Sequence, residues 1–152
     1  MPTYFVEKIW RGIADKKLSD DGYGKWLYGA NLPDVAVTSV KPKIHTIRLD
    51  KNNLWKPGRD IHFVINNRTP KRYQFAPVLK CISVQEIEIK NLFSDQMGVS
   101  IDGDFLQDCE VEDLAFNDGF DSANDFYDFF KGGDFKGKLI HWTDCEYLGL
   151  PF

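Results

Sequence analysis

The chain has 152 residues, of which 43% are hydrophobic and 28% charged, so we expect one soluble globular domain with no membrane-spanning segment. A net charge of −4 and three widely spaced cysteines disfavour a non-specific DNA-coating protein and a disulfide-stapled secreted domain. Because the N-terminus lacks the basic and apolar stretches of a secretory signal, we expect a cytoplasmic protein without a membrane partner.

The first forty residues divide into a predicted helix and an irregular segment. Thr3–Ile13 has apolar residues at helical spacing and begins with a threonine that can cap the first turn, which predicts a short amphipathic helix. Residues 14–40 are rich in Gly, Asp and Asn and follow no regular period. An irregular insertion of this length is either a lid over a functional site or a surface excursion, and the sequence leaves both open.

From residue 43 onward the pattern is that of β-strands. Ile44–Leu49 contains several β-branched residues and predicts a strand, and Trp55–Gly58 is typical of a turn. Residues 61–65 alternate between apolar and other side chains, which predicts a half-buried strand. A polar loop at 66–71 separates it from a long β-segment at about Val78–Lys90.

The apolar phase changes inside this long β-segment. Ile82 and Val84 fall on one face of a strand, whereas Ile87 and Ile89 fall on the other. Because side chains alternate strictly along a strand, an uninterrupted strand with one buried face does not carry this pattern. We therefore predict a bulge or sharp bend near Gln85–Glu86, which would help a small sheet to curl.

The C-terminal third mixes strands and helices. Asp102–Gly103 lies between two β-like runs and is a hairpin signal, and a helical turn is predicted at Val111–Phe116. Ser122 starts a clearer helix whose phenylalanines share one face. Lys138–Trp142 has apolar residues on both faces and predicts a fully buried strand. This mixed order predicts an α+β domain whose sheet is closed or strongly curled.

Charge is distributed unevenly along the chain. Residues 41–90 carry eleven Lys and Arg against four Asp and Glu, whereas residues 91–152 carry three against fourteen. The middle segment can therefore form a basic face although the whole molecule is acidic. The alternative is that folding places the charges of the two segments among one another, so that no basic face forms.

The histidines and cysteines do not have the spacing of a metal site. His45, His62 and His141 lie far apart, and no pair of cysteines has structural-zinc spacing. The chain also lacks a P-loop, a dinucleotide-binding fingerprint and a nucleophile elbow. We therefore predict no metal and no cofactor.

The stretch Lys43-Ile44-His45-Thr46-Ile47-Arg48 resembles the strand entry of ASCH domains, a branch of the PUA-like β-barrels, in which the pattern is Gly-x-Lys-x-x-polar-x-Arg. Lys41 stands at the position of the family's glycine. Three further segments resemble the family in the same order, namely Trp55–Gly58, Asn117–Phe120 and Gly137–Trp142. The resemblance covers residues 41–145 and the opening helix. It implies one ASCH domain over residues 1–152, a small PUA-like mixed β-barrel flanked by short helices, with 14–40 as an insertion.

The resemblance also implies functional residues. PUA domains bind RNA, and one bacterial ASCH branch hydrolyses N4-acetylcytidine with a Lys, a Thr three residues later and a distant Glu. Carried over, these catalytic positions fall on Lys43, Thr46 and Asp118, with Asp in place of Glu. A lysine whose pKa is lowered by burial or by a neighbouring cation can remove the threonine proton, and a carboxylate can return a proton to the leaving amine. On an ideal strand Lys43 faces away from Thr46, so this set requires Lys43 to lie in a bend before the strand.

Further ligand contacts are predicted at other basic residues. Arg48 is suited to hold a phosphate or a base carbonyl, and His45 belongs to the same strand. Arg68, Lys71 and Arg72 lie beside aromatic residues, a combination that can neutralise phosphates near unpaired bases. The alternative for this loop is a plain solvated turn.

Two functions of different classes follow. The first is an ASCH-type module that recognises RNA, a nucleotide or a modified base through a cleft at Lys43, Thr46 and Arg48. The second is an amidohydrolase that deacylates N4-acetylcytidine-like nucleosides with the Lys, Thr and Asp set. The structural alternative is that Thr46 is a strand former, Arg48 pairs with a surface acid and Asp118 begins a turn.

Overall fold

The computed structural model describes residues 8–9, 42–65, 67–74, 76–91 and 97–148. Lys8 and Ile9 are helical, in agreement with the predicted Thr3–Ile13 helix at the two positions described. The predicted insertion at 14–40 lies outside the described residues. Among the described residues, no helix has both the length and the hydrophobicity that crossing a bilayer requires.

The described chain from residue 42 onward mixes strands and helices, which confirms the α+β class. In chain order the elements are β1 (His45–Arg48), β2 (Asp60–Ile61), β3 (Val64–Ile65), β4 (Tyr73–Gln74), β5 (Leu79–Lys80), β6 (Ser83–Asn91), β7 (Met97–Ile101), β8 (Asp104–Phe105), α1 (Asp108–Asn117), α2 (Ala123–Phe130) and β9 (Phe135–His141). Five strands form one antiparallel sheet in the order β1-β9-β6-β7-β8, while β2 pairs with β5 and β3 with β4. In the described part of the chain this sheet ends at β1 and β8, so its closure into a barrel stays a prediction.

Strand β9 lies inside the sheet although it is the last strand in the sequence. It pairs with β6 on one side and with β1 on the other. Leu139 and Ile140 point to opposite faces and are both fully buried, which confirms the predicted buried strand. Strand β1 also forms where it was predicted, and its register sets His45 opposite His141.

The two faces of the sheet are covered by separate hydrophobic cores. Leu139 and Ile87 face the first core, which α1 and α2 complete. Ile140 and Trp142 face the second core, to which β2, β5 and the residues between β2 and β3 contribute. The central strands therefore bury apolar side chains on both sides, as strands inside a layered domain do.

The predicted bulge at Gln85–Glu86 is wrong. Strand β6 pairs with β9 residue by residue, without a skipped position. The apolar phase changes because both faces of β6 are covered, so that Val84 packs against the second core and Ile87 and Ile89 belong to the first. Ile82 precedes the strand and is 40% exposed, so it does not share in this burial.

The two longer predicted β-segments are each divided into shorter strands. Ile61 in β2 pairs with Leu79 in β5, whereas Ile65 in β3 pairs with Tyr73 in β4. Residues 61–65 are therefore divided between two separate strand pairs. Phe63 lies between the two strands and is buried, as its alternation predicted. The segment at 78–90 is likewise divided between β5 and β6. These breaks let short strands pack around the second core.

Local turn and cap signals are confirmed. Asp102 and Gly103 have φ values of 52° and 91° and connect β7 to β8 as a hairpin. The Ser122 hydroxyl accepts the Asp125 N–H at 3.1 Å and caps α2. The single helical turn predicted at Val111–Phe116 belongs to the longer helix α1.

Gly137 allows strands β1 and β9 to approach closely. A Cβ at this position would lie 2.5 Å from the Arg48 carbonyl oxygen and 2.8 Å from the Phe135 ring. We expect Gly137→Ala to lower the free energy of unfolding by about 1–3 kcal/mol, because the backbone of β1 must move. Gly132→Ala is the control, since a Cβ there meets nothing within 4 Å. Urea denaturation measures both variants, and equal stability of the two would contradict the close approach.

Candidate functional site

The chain that leads into β1 is fixed by two backbone hydrogen bonds. The Lys43 N–H donates to the Lys8 carbonyl at 2.9 Å, and the Ile44 N–H donates to the Asn117 carbonyl at 2.9 Å. Lys43 therefore lies before the first residue of β1, where the predicted set required it. Because Asn117 ends α1, the second bond also brings Asp118 beside the start of β1.

The end of α1 holds Asp118 in place. The Asp118 N–H donates to the Leu114 carbonyl at 3.0 Å, and Gly119 follows with a φ of 97°, a conformation that favours glycine. The Gly119 carbonyl in turn accepts a hydrogen bond from the Lys8 ammonium at 2.6 Å. Asp118 is 6% exposed as a result.

Lys43, His45 and Asp118 form a buried cluster. The Lys43 ammonium donates to the Asp118 backbone carbonyl and lies 3.4 Å from the carboxylate Oδ1. His45 Nδ1 lies 3.1 Å from that same Oδ1. Burial lowers the pKa of Lys43 and Asp118 opposes this change, while burial also lowers the pKa of His45. One oxygen of the Asp118 carboxylate therefore contacts both the Lys43 ammonium and the His45 ring nitrogen.

A chain of hydrogen bonds connects this cluster to the segment after β9. His45 Nε2 lies 2.6 Å from the Tyr147 hydroxyl, to which the Asn117 side-chain amide donates at 2.9 Å. The Tyr147 N–H donates to Gln85 Oε1 at 2.9 Å, and Gln85 Nε2 donates to the Tyr147 carbonyl at 2.8 Å. His141 Nε2 lies 3.0 Å from Gln85 Oε1, and burial lowers the pKa of His141 to about 4. Tyr147 was missed in the sequence because it follows the last strand and belongs to no motif.

Lys43 also lines a cleft of about 350 Å³. The described residues that line it are Ile9, Lys43, Thr46, Arg48, Trp55, Ile61, His62, Phe63, Val64, Asn67 and Trp142. Three predicted site residues, Lys43, Thr46 and Arg48, are therefore brought together. Asp118 and His45 are not among the described lining residues, because they lie in the buried cluster behind Lys43.

Aromatic side chains form much of the cleft wall. Phe63 and Trp142 are buried in the second core, with ring centroids 5.0 Å apart and planes at 83°. Trp55 is half-buried, and the Arg59 guanidinium carbon lies 4.9 Å from its ring centroid. The two tryptophans therefore serve in core packing and as walls of the cleft.

Asp50 fixes the loop that carries Trp55. Its carboxylate accepts the N–H groups of Leu54 and Trp55 at 2.8 and 2.9 Å, and the Lys138 ammonium donates to it at 3.0 Å. Although burial alone raises its pKa, these donors lower the pKa of Asp50 to about 2. Asp50 is therefore ionised at neutral pH and keeps the loop anchored to β9.

The predicted basic loop lies on the connection between β3 and β4. Arg68, Lys71 and Arg72 are all exposed, and the Arg72 N–H donates to the Thr69 carbonyl at 3.1 Å. Asn67, which directly precedes Arg68, lines the cleft. The loop therefore begins at the cleft and carries its cations in solvent.

The basic and acidic segments contribute to different cores but are also joined by ion pairs. The basic middle segment supplies β2 and β5 around the second core, whereas the acidic segment supplies α1 and α2 on the first. Lys43 of the basic segment contacts Asp118 of the acidic one, and Lys138 of the acidic segment pairs with Asp50. The charges of the two segments are therefore partly interleaved beside the cleft, while Arg68, Lys71 and Arg72 are exposed.

The cleft offers amine, guanidinium, hydroxyl, amide and imidazole groups to a ligand. In the described part of the chain, no group of three or more His, Cys, Asp and Glu side chains is arranged to hold a metal ion. The chain matches no protein-family model, no curated protein and no solved structure.

Proposed function

We propose that this protein is an ASCH-type, PUA-like module that recognises a nucleotide unit, in RNA or free, through the cleft at Lys43, Thr46 and Arg48. The observation that carries the proposal is the convergence of these three side chains on one cleft with aromatic walls. The order of elements and the position of Lys43 before β1 support the family resemblance.

The chemistry of the cleft suits a nucleobase attached to a phosphate. A volume of about 350 Å³ falls within the range of small-ligand pockets. Trp55 offers a ring on which a flat base can stack in place of the Arg59 guanidinium, and such stacking is a sequence-tolerant source of affinity. Thr46 and Asn67 offer hydroxyl and amide groups for a base edge. Arg48 is exposed at the cleft and offers a planar donor fork for a phosphate.

The basic loop between β3 and β4 extends this surface beyond a single nucleotide. Arg68, Lys71 and Arg72 follow Asn67 along the chain, so they can meet phosphates that flank the unit in the cleft. The acidic helices α1 and α2 pack on the first core, and Asp118 at the end of α1 is buried against Lys43 rather than exposed to a polyanion.

The binding proposal is tested with a short single-stranded RNA and fluorescence anisotropy at several salt concentrations. We expect Arg48→Ala and Lys71→Ala to weaken affinity, and each to reduce the slope of log K against log salt by about 0.7, since each removes one phosphate contact. Lys131→Ala is the control, because this exposed lysine lies on the helical side. Unchanged affinity and slope in both cleft-side variants would contradict the proposal.

A second candidate function is deacylation of an N4-acetylcytidine-like nucleoside. It is favoured by the burial of Lys43, which lowers its pKa, together with the presence of Thr46 in the same cleft. In this reaction the neutral Lys43 amine takes the Thr46 hydroxyl proton and the oxygen attacks the acyl carbon. The carbon–nitrogen bond breaks, the leaving amine takes the proton from Lys43, and water then hydrolyses the threonine ester to release the acid. Asp118 would hold Lys43 rather than contact the substrate.

The second candidate is tested by incubating the protein with N4-acetylcytidine and measuring cytidine release by chromatography. We expect Thr46→Val to abolish turnover with little change in the thermal melt, because valine has nearly the shape of threonine but no hydroxyl. Ser83→Ala is the control, because it removes a hydroxyl that has no hydrogen-bond partner among the described residues and that does not line the cleft. Full activity of Thr46→Val would rule out Thr46 as nucleophile, and absence of turnover in the wild-type protein would count against this second candidate.

A further inference from the structure

Hydrogen bonds, in addition to packing, hold the segment after β9 against the buried cluster. Tyr147 is 9% exposed, and both its N–H and its carbonyl are bonded to the side chain of Gln85. Gln85 Nε2 donates to a second acceptor, Asp102 Oδ2, at 3.0 Å. Because both amide hydrogens of Gln85 are used, its Oε1 is the acceptor that faces Tyr147 and His141.

These bonds fix which nitrogen of each buried histidine carries the proton. Gln85 Oε1 can only accept, so His141 Nε2 is the protonated nitrogen of that ring. At the other ring, the Asn117 amide donates to the Tyr147 hydroxyl, which leaves the hydroxyl hydrogen for His45 Nε2 at 2.6 Å. His45 Nε2 is then bare, and Nδ1–H donates to Asp118 Oδ1.

We propose that Tyr147 is a positioning residue for the cleft: its hydroxyl donates to His45 Nε2 and holds the ring where Nδ1–H keeps the Asp118 carboxylate against Lys43. The positioning of Asp118 does not depend on the proposed function; only the assumption that Lys43 contacts a ligand rests on it. Its physical basis is that His45 and Lys43 meet the same carboxylate oxygen. A change in the orientation of the His45 ring therefore alters Asp118 Oδ1, the same oxygen that contacts Lys43 at the cleft.

Burial keeps His45 neutral, although Asp118 among the groups around it favours the charged form. Asp118 faces it from the end of α1, Lys43 from its own chain, and His141 from β9 with ring centroids 5.3 Å apart. Burial lowers the pKa of His45 below its usual 6.5, so the ring is uncharged at neutral pH. Burial also raises the pKa of the Cys145 thiol, which interacts with the Tyr147 hydroxyl and therefore stays protonated.

The loss of the Tyr147 hydroxyl removes the hydrogen bond at His45 Nε2, so that Asp118 alone then orients the ring. The Asp118 carboxylate keeps the proton on Nδ1, since a bare Nδ1 would place two acceptors 3.1 Å apart. The ring can then turn about its contact with Asp118, and the carboxylate loses its fixed position against Lys43. Tyr147→Phe keeps the ring that packs in the first core and removes only the hydroxyl.

Solution NMR of the ¹⁵N-labelled protein at neutral pH tests the inference, because protonated and bare imidazole nitrogens resonate far apart. We expect opposite tautomers in the two buried histidines, with Nδ1–H at His45 and Nε2–H at His141. His62→Gln identifies the signals of the exposed third ring. An Nε2–H tautomer at His45 in the wild-type protein would overturn the inference, whether or not any ligand binds and whether or not the variants fold.

Two hydroxyl-deletion variants extend the test to the cleft. We expect Tyr147→Phe to shift the ¹⁵N resonance of the bare His45 Nε2, which loses its donor, and to weaken affinity for cytidine 5′-monophosphate about tenfold, the effect of losing one charge-assisted hydrogen bond. Tyr127→Phe, on α2, is the matched control and should leave both the resonance and the affinity unchanged. An unchanged His45 Nε2 resonance or an unchanged affinity in Tyr147→Phe would overturn the positioning role. Failure of the wild-type protein to bind the nucleotide would instead count against the proposed function, since the tautomers are read without ligand.

Discussion

The buried amino group of Lys43 is the constraint on which the site depends. Burying such a group is costly unless it is hydrogen-bonded, and Lys43 has the Asp118 carbonyl and carboxylate as partners. To supply them, α1 must end where it does and must be joined to the start of β1 through the Ile44–Asn117 backbone bond. The pair therefore links an early strand to a late helix and holds Lys43 at the cleft.

Signals confined to a few neighbouring residues were read correctly from the sequence. The hairpin at Asp102–Gly103, the cap at Ser122 and the strand at β1 each depend on local backbone preferences. The resemblance to ASCH domains also selected Lys43 and Thr46, which the fold brings to one cleft. Strand β9 was recognised because only an interior strand is apolar on both faces.

Features that depend on distant partners were not predictable. The bulge near Gln85 was inferred from one buried face, but β6 has a different core on each face, and the sequence does not show how many layers cover a strand. Asp118 was assigned to the cleft because spacing does not reveal that its oxygens are turned toward Lys43 and His45. Tyr147 had no local signal at all, since its role arises only when the chain returns to Gln85.

If the cleft between Lys43 and Trp55 is the ligand site, as we propose, chemical-shift mapping with cytidine 5′-monophosphate will locate the ligand there. We expect saturable shifts at the Thr46 amide, the Trp55 indole N–H and the His62 ring, because these residues line the cleft. Phe129, 72% exposed on the acidic helical side, should not respond. Shifts concentrated on α1 and α2, or no saturable shift at the cleft, would contradict a ligand site in this cleft.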